Sequence, residues 1–204
     1  MALAETGVQV KTEDDAMRAM EKNGWIRAEV LSRNGAMGVE HLMRVNRGSS
    51  SGVQRNAPVV VPDGLVGKVV EVSPHTAVIK LVSDPSMKVS CEIETGMPGI
   101  GTVYGIMSGG GVKALAGDAA CSIVYLVNPF RLRHIRCDAG AARGVPPRAR
   151  IVTSGLGGTY PRGIQVGYLM EGTREDEERL EREGEVLPAV DFPALETVFI
   201  RREK

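Results

Sequence analysis

Apolar and polar residues change their period at Trp25. Before it, Ala16, Met17, Ala19 and Met20 recur at helical spacing between Thr12 and Asn23. That pattern predicts a short helix capped by Thr12, with Asp14 and Asp15 in its first turn and Gly24 as its terminator. After Trp25 the period falls to two. Ile26, Ala28 and Val30 alternate with Arg27, Glu29 and Leu31, and Leu42, Arg44 and Asn46 alternate with Met43, Val45 and Arg47. Such runs are half-buried strands. Turn signals fall at Asn34-Gly35, Gly48 to Gly52, Asp63-Gly64, Ser73-Pro74, Asp84-Pro85 and Ser108 to Gly111. Between and beyond them strands are expected over 59–61, 65–72, 77–82, 89–93, 99–107, 121–127, 151–152, 164–170 and 198–200. Residues 174–183, rich in Glu and Arg, predict a short exposed helix supported by i,i+4 pairs. About a dozen short strands at this spacing imply a sandwich or barrel. No crossover helix separates them, which disfavours a parallel α/β sheet.

Composition sharpens the class. The 204 residues suffice for one large domain or two small ones. Aromatics are 4% of the chain and Trp25 is the single Trp, so the core is built from Val, Ile, Leu, Ala and Met. That favours small aliphatic barrels. The formal net charge is +0, which gives no bulk attraction to nucleic acid or a membrane surface. The charges are uneven, however. Arg131, Arg133, Arg136, Arg143, Arg148 and Arg150 are opposed in their stretch only by Asp138, and Glu171 to Glu185 is an acidic run diluted by arginines. Both stretches read as solvated loops. The alternative for Arg131, Arg133, Arg136 and Arg148 is a surface on which a partner docks. No run approaches the ~20 apolar residues of a membrane helix, and the start is too short for a signal peptide. A cytosolic protein or a soluble fragment is expected.

Candidate chemistry is thin. Cys91, Cys121 and Cys137 lack CxxC spacing, and His41, His75 and His134 are not spaced with them, so no metal site and no cofactor is expected. The thiols read as buried or unpaired, with one disulfide left open. The glycine run 105–111 lacks the Gly-Lys-Ser/Thr end of a phosphate cradle and reads as a hairpin connection. Glu92 and Glu94 share a strand face and read as solvated.

The densest motif is Thr153-Ser154-Gly155-Leu156-Gly157-Gly158, followed by Pro161-Arg162-Gly163-Ile164 and Gly167. A strand stops there, reverses over glycines and restarts. As chemistry, His75, Asp84 and Ser154 stand in the chain order of a chymotrypsin-type triad, giving a serine hydrolase as the alternative function. A triad is recognised by geometry rather than order, and Ile151-Val152-Thr153 ahead of the Ser reads as strand. Ser154 is therefore expected to be structural.

Taken in order, the glycine motifs resemble the extracytoplasmic region of the rod shape-determining MreC family. The resemblance is carried by Val45-Asn46-Arg47-Gly48 with Gly52-Val53, by Gly64-Leu65-Val66-Gly67-Lys68-Val69, and by Thr76 to Leu81. It continues through Ile151 to Gly158, Tyr160-Pro161-Arg162-Gly163-Ile164 with Gly167, and Leu187-Pro188-Ala189-Val190-Asp191 with Leu195 and Val198. It covers about residues 26 to 201. Arg148-Ala149, preceded by Pro146-Pro147, stand where family members usually carry Gly-Asp. The family's membrane helix and coiled coil are not read here, and the helix at 12–23 is expected to be a stump of that coil.

The resemblance implies a mainly β fold of two small six-stranded barrels, laid out like a chymotrypsin-like protease but without catalysis, behind a short N-terminal helix. With the turn-rich seams at Asp63-Gly64 and Val145 to Pro147 it implies an arm over 1–24, a discontinuous first barrel over 25–62 plus 148–201, and a second barrel over 63–147. Gly48, Gly52, Gly64, Gly67, Ser154, Gly155, Gly158, Pro161, Gly163 and Gly167 become structural turn positions. The implied function is a non-enzymatic, self-associating scaffold of cell-wall elongation outside the cytoplasmic membrane. The implied partners are a class B penicillin-binding transpeptidase, MreD and, across the membrane, MreB.

Overall fold

The computed structural model describes residues 13–34, 41–96, 102–116, 123–137, 145–171, 174–176 and 181–202. Helix α1 (Glu13–Lys22) comes first. It ends where Asn23 N–H still reaches the Ala19 carbonyl, and Gly24 then turns left-handed (φ 83°), a C-terminal stop that a residue with a Cβ adopts only with strain. The predicted cap, Thr12, lies outside the described residues.

The strands follow in order: β1 (Trp25–Asn34), β2 (Leu42–Val45), β3 (Pro58–Val61), β4 (Gly64–Val72), β5 (Ala77–Leu81), β6 (Lys88–Glu94), β7 (Val103–Ser108) and β8 (Val112–Ala116). Then come β9 (Ile123–Val127), β10 (Phe130–Cys137), β11 (Arg150–Thr153), β12 (Gln165–Leu169), β13 (Arg174–Asp176), β14 (Glu181–Pro188) and β15 (Thr197–Arg201).

They form two closed barrels. The first runs β1-β15-β3-β4-β5-β2 and returns to β1. Its interior takes alternate residues, such as Ile26 and Ala28 of β1, Met43 and Val45 of β2, Ala77 and Ile79 of β5, and Val198 and Ile200 of β15, all buried. All four residues of β3 are buried, so this strand is covered on both faces. The second barrel runs β10-β7-β6-β11-β12-β14 and closes through a β10–β14 pairing, with β13 added along the first part of β14. Val89, Cys91 and Ile93 of β6, Leu132 of β10, Ile151 of β11 and Val186 of β14 fill it. Closure removes the open edges that make flat sheets aggregate. The barrels meet where β4 passes β12. A Cβ at Gly64 would stand 2.5 Å from the Gln165 carbonyl oxygen, so this contact needs a residue without one.

Three expectations are corrected. The first barrel is discontinuous, but its parts are β1 to β5 plus β15, and the second barrel spans β6 to β14. Asp63-Gly64 is no seam: it begins a hairpin in which Val61 pairs with Gly64, and strands joined so tightly pair with each other. The chain changes barrel over 82–87 and again over 189–196. Second, 174–176 and 181–188 are strands rather than a helix. Pairing of β14 with β10, β12 and β13 overrides the helix propensity of Glu and Arg. Third, the arginine stretch is not all loop, because Arg131 to Cys137 lie in β10 between β7 and β14.

Candidate functional site

The glycine motif connects β11 to β12 and is bonded throughout. Thr153 N–H donates to the Ile164 carbonyl and Gly163 N–H to the Thr153 carbonyl, each at 2.8 Å. The Thr153 hydroxyl donates to the Pro161 carbonyl and accepts from Ile164 N–H at 3.0 Å. The Ser154 hydroxyl donates to the Ser90 carbonyl at 3.0 Å and accepts from Leu156 N–H at 3.2 Å. Arg162 closes the turn onto β6 with a two-pronged bond to Glu92, at 2.9 and 2.8 Å.

The remaining turn positions fall into two kinds. At Gly48 and Gly67 an added Cβ would stand 2.0 and 2.1 Å from the carbonyl oxygens of Ser73 and Lys80, and at Gly167 2.1 Å from that of Leu187. Gly52, Gly155, Gly158 and Gly163 hold left-handed backbone instead. Pro161 sits beside them, half-buried.

The triad candidates are not brought together. His75 is exposed in the β4–β5 turn of the first barrel, whereas Ser154 closes β11 of the second. Asp84 is buried, and one of its oxygens accepts both the backbone N–H and the hydroxyl of Ser86, at 2.8 and 2.6 Å. Lys80 stands 3.5 Å from the other oxygen. Sequence reasoning missed a different Ser–His pair: His41 Nδ1 lies 2.7 Å from Ser83 Oγ. Both are buried, Ser83 to 1% exposure, so no substrate reaches the hydroxyl. Burial pushes the imidazole pKa below its ordinary value, partly offset by Asp84. The side-chain and backbone donors of Ser86, together with Lys80, hold Asp84 below the usual carboxylate range despite its burial. This pair locks the segment before β2 to the crossing between the barrels. No local motif could have announced it, because its members are 42 residues apart.

Among the described residues no cluster of His, Cys, Asp or Glu has the makings of a metal site. Cys91 is a free, buried thiol whose pKa burial pushes up to about 12. Cys121 and the side chain of Cys137 lie outside the described residues. A cleft between the barrels is lined by Arg55, Arg162 and Arg201, but Arg162 is held by Glu92, and the Arg201 guanidinium stacks 5.3 Å from the Trp25 ring centroid.

The arginine surface divides. Arg131 and Arg133 share the outer alternation of β10, and Arg133 Nε pairs with Glu183 at 2.9 Å. Arg148 lies just before β11, its N–H donating to the Leu169 carbonyl at 2.8 Å. In the six-strand ring β10 and β11 stand three strands apart, so Arg148 and Arg131 occupy opposite sides. The side chain of Arg136 lies outside the described residues.

A second surface feature lies beside Arg131. Tyr168 and Leu187 face each other across β12 and β14 and are 41% and 53% exposed; Met170, two residues on, is 44% exposed. On β14 the same outer alternation carries Glu185 and Glu183, and Glu185 pairs in register with Arg131. The outer face of β12, β14 and β10 thus has an apolar centre and a charged rim. Assigning 174–183 to a helix hid it, since Leu187 shares a face with Tyr168 only when β14 is a strand.

Paired closed barrels, turns sealed by their own hydroxyls and a patterned outer strand face define a structural domain rather than a catalytic one. The chain belongs to the rod shape-determining MreC family: the model of its barrel core matches residues 30–202. This is a family of structural cell-shape proteins, not of enzymes. The cell shape-determining protein MreC of Listeria monocytogenes is 28% identical over 177 residues, 86% of this chain. The chain spans about half of that relative's length, 52%. Among solved structures, MreC of Listeria monocytogenes has a TM-score of 0.67 at 23% identity, covering 94% of this chain and 90% of its own. MreC from Pseudomonas aeruginosa gives 0.62 at 22% identity, covering 86% and 97%. A complex between Penicillin-Binding Protein (PBP2) and MreC from Helicobacter pylori gives 0.58 at 14% identity, covering 88% and 98%. Among the described residues no helix is long and apolar enough to cross a membrane.

Proposed function

We propose that this domain is a non-enzymatic scaffold of bacterial cell-wall elongation. It works outside the cytoplasmic membrane, tethered to it by an N-terminal membrane helix. It docks a class B penicillin-binding transpeptidase and associates with copies of itself. MreD is its membrane partner, and MreB is linked to it across the membrane. The observation that carries the transpeptidase reading is the outer face of β12 and β14, with Tyr168, Met170 and Leu187 at its centre and Arg131, Arg133, Glu183 and Glu185 around them. Apolar centres with polar rims, and aromatic anchors above all, are where binding energy concentrates. The solved complex of a family member with a penicillin-binding protein supports the choice of partner.

Surface-immobilised transpeptidase ectodomain tests this. Tyr168→Thr with Leu187→Thr is expected to weaken capture by roughly a hundredfold, while the melting temperature moves little, because both side chains are exposed and Thr suits a paired strand. Undiminished capture by this folded variant removes the β12–β14 face from the proposal.

A further inference from the structure

Between β7 and β10 the chain leaves both barrels. β8 and β9 pair with each other and, among the described residues, with no other strand. The root of this arm is fixed. Gly111 N–H donates to the Ser83 carbonyl and Asn128 N–H to the Gly111 carbonyl, each at 3.0 Å, while the Asn128 side-chain amide donates to the Gly110 carbonyl at 3.1 Å. Beyond the root stands a two-stranded hairpin, a unit only marginally stable by itself.

Its sequence is that of a covered element. β8 reads Val-Lys-Ala-Leu-Ala and β9 reads Ile-Val-Tyr-Leu-Val, so Lys113 is the one residue of the pair that is not apolar. The register matches Val112 with Val127, Ala114 with Tyr125 and Ala116 with Ile123, and on the other alternation Lys113 with Leu126 and Leu115 with Val124. Apart from Lys113 both alternations are apolar, as in strands enclosed on both faces. The two edges differ. β8 carries Lys113, the kind of residue that blunts an edge, whereas β9 carries no charge, Pro or Gly. A lipid interior does not suit β9, because an open edge in hydrocarbon leaves backbone groups unsatisfied.

β9 does suit itself. A two-fold axis at Tyr125 sets Ile123 opposite Val127, Val124 opposite Leu126, and Tyr125 opposite its own counterpart. Each pair is aliphatic or aromatic, and no like charges meet. We propose that β9 pairs antiparallel with β9 of a second copy about this axis, forming a four-stranded sheet ordered β8-β9-β9-β8. The unguarded edges are then buried and the Lys113-bearing edges lie outermost. The inference rests on the self-association in the scaffold reading and supplies its contact.

Light scattering over a range of concentrations, on the chain and on two double variants, tests the register. Val124→Lys with Leu126→Lys sets Lys against Lys across the axis; Val124→Glu with Leu126→Lys sets Glu against Lys. Within the hairpin both variants place the same new Lys opposite Lys113, so that internal cost is common to them. The chain is expected to dimerise as its concentration rises. The Lys/Lys variant raises the dissociation constant roughly tenfold, and the Glu/Lys variant recovers most of the loss. A chain that stays monomeric throughout, or double variants that associate alike, overturns the pairing. So does a monomeric chain whose Lys/Lys variant loses capture by the transpeptidase or by phosphatidylglycerol vesicles, since the hairpin then serves that other partner. Transpeptidase capture measured in parallel separates the two ideas. An unmodified chain that is captured yet never dimerises sinks the β9 contact alone; one that dimerises as expected yet is not captured sinks the proposed partner.

Discussion

Ser154 donates twice to a single acceptor: its backbone N–H and its hydroxyl both reach the Ser90 carbonyl, each at 3.0 Å. The hydroxyl that chain order offers as a nucleophile is thus a stitch between β6 and the turn after β11. Removing it leaves the carbonyl one donor, and water can replace the lost acceptor for the amide of Leu156, itself an exposed residue. Ser154→Ala is expected to cost about 1 kcal/mol in a urea unfolding series. The unmodified chain should take no label from a fluorophosphonate. Stoichiometric labelling abolished by Ser154→Ala would reverse the assignment.

Acid should weaken the fold before it protonates ordinary carboxylates. His41 is buried against Ser83, with Asp84 and Lys80 as the charged groups around it, and its pKa lies below the usual 6.5. As pH falls below 6.5 the unfolded chain therefore binds a proton that the folded chain resists, so stability declines until the folded value is passed. Asp84 acts in the same direction at lower pH, below its ordinary 3.8, because its folded pKa is also depressed. The unfolding midpoint should drop as the pH is lowered from 7 through 6.5 and below, and His41→Gln should flatten that drop. A midpoint independent of pH over this window, or an unchanged slope in His41→Gln, would show that the pair carries no such linkage.

Glycines of the two kinds should respond differently to the same change. A Cβ at Gly67 would stand 2.1 Å from the Lys80 carbonyl oxygen, inside a paired ladder that has no room to shift. Gly67→Ala is expected to cost on the order of 3 kcal/mol or more. At Gly157 a Cβ meets nothing within 4 Å, and only the left-handed backbone (φ 88°) opposes it. Gly157→Ala should cost about 1 kcal/mol. Equal midpoints for the two variants in denaturant would refute this division.

The same contrast explains what the sequence could disclose. Period-two runs, short apolar runs and turn residues placed β1 to β7, β11, β12 and β15, because most of these strands bury one alternation, as β5 and β6 do, while β3 is short, wholly apolar and buried on both faces. The joining of strands into barrels was less legible. Asp63-Gly64 looks like a boundary when read alone and proves to start a hairpin, since pairing partners are decided by closure of the whole ring. β14 was hidden by residue types that favour helices in isolation, and with it went the Tyr168–Leu187 face. The glycine motif was legible as a turn; that Ser90 and Glu92 receive its Ser and Arg was not, as those partners lie 64 and 70 residues away.

The rim of the β12–β14–β10 face should govern the speed of docking more than its final strength. Arg131 is exposed, and Arg133 is held by Glu183 with about a third of each side chain still in water, so neither charge is deeply desolvated. Rim charges of this kind steer encounter, are screened by salt and add little at equilibrium. Replacing Arg131 and Arg133 together by Ser should lower the association rate for the transpeptidase several-fold at low salt, flatten its salt dependence and leave the dissociation rate nearly unchanged. The melting temperature should move little, since exposed ion pairs contribute modestly to stability. Arg148→Ser is the matched control, because three strands separate β11 from β10 in the ring. Stopped-flow association at two ionic strengths decides the matter. If the double variant associates at the rate of the unmodified chain, the arginines of β10 merely keep that strand solvated. If Arg148→Ser slows association equally, long-range net charge rather than this rim does the steering.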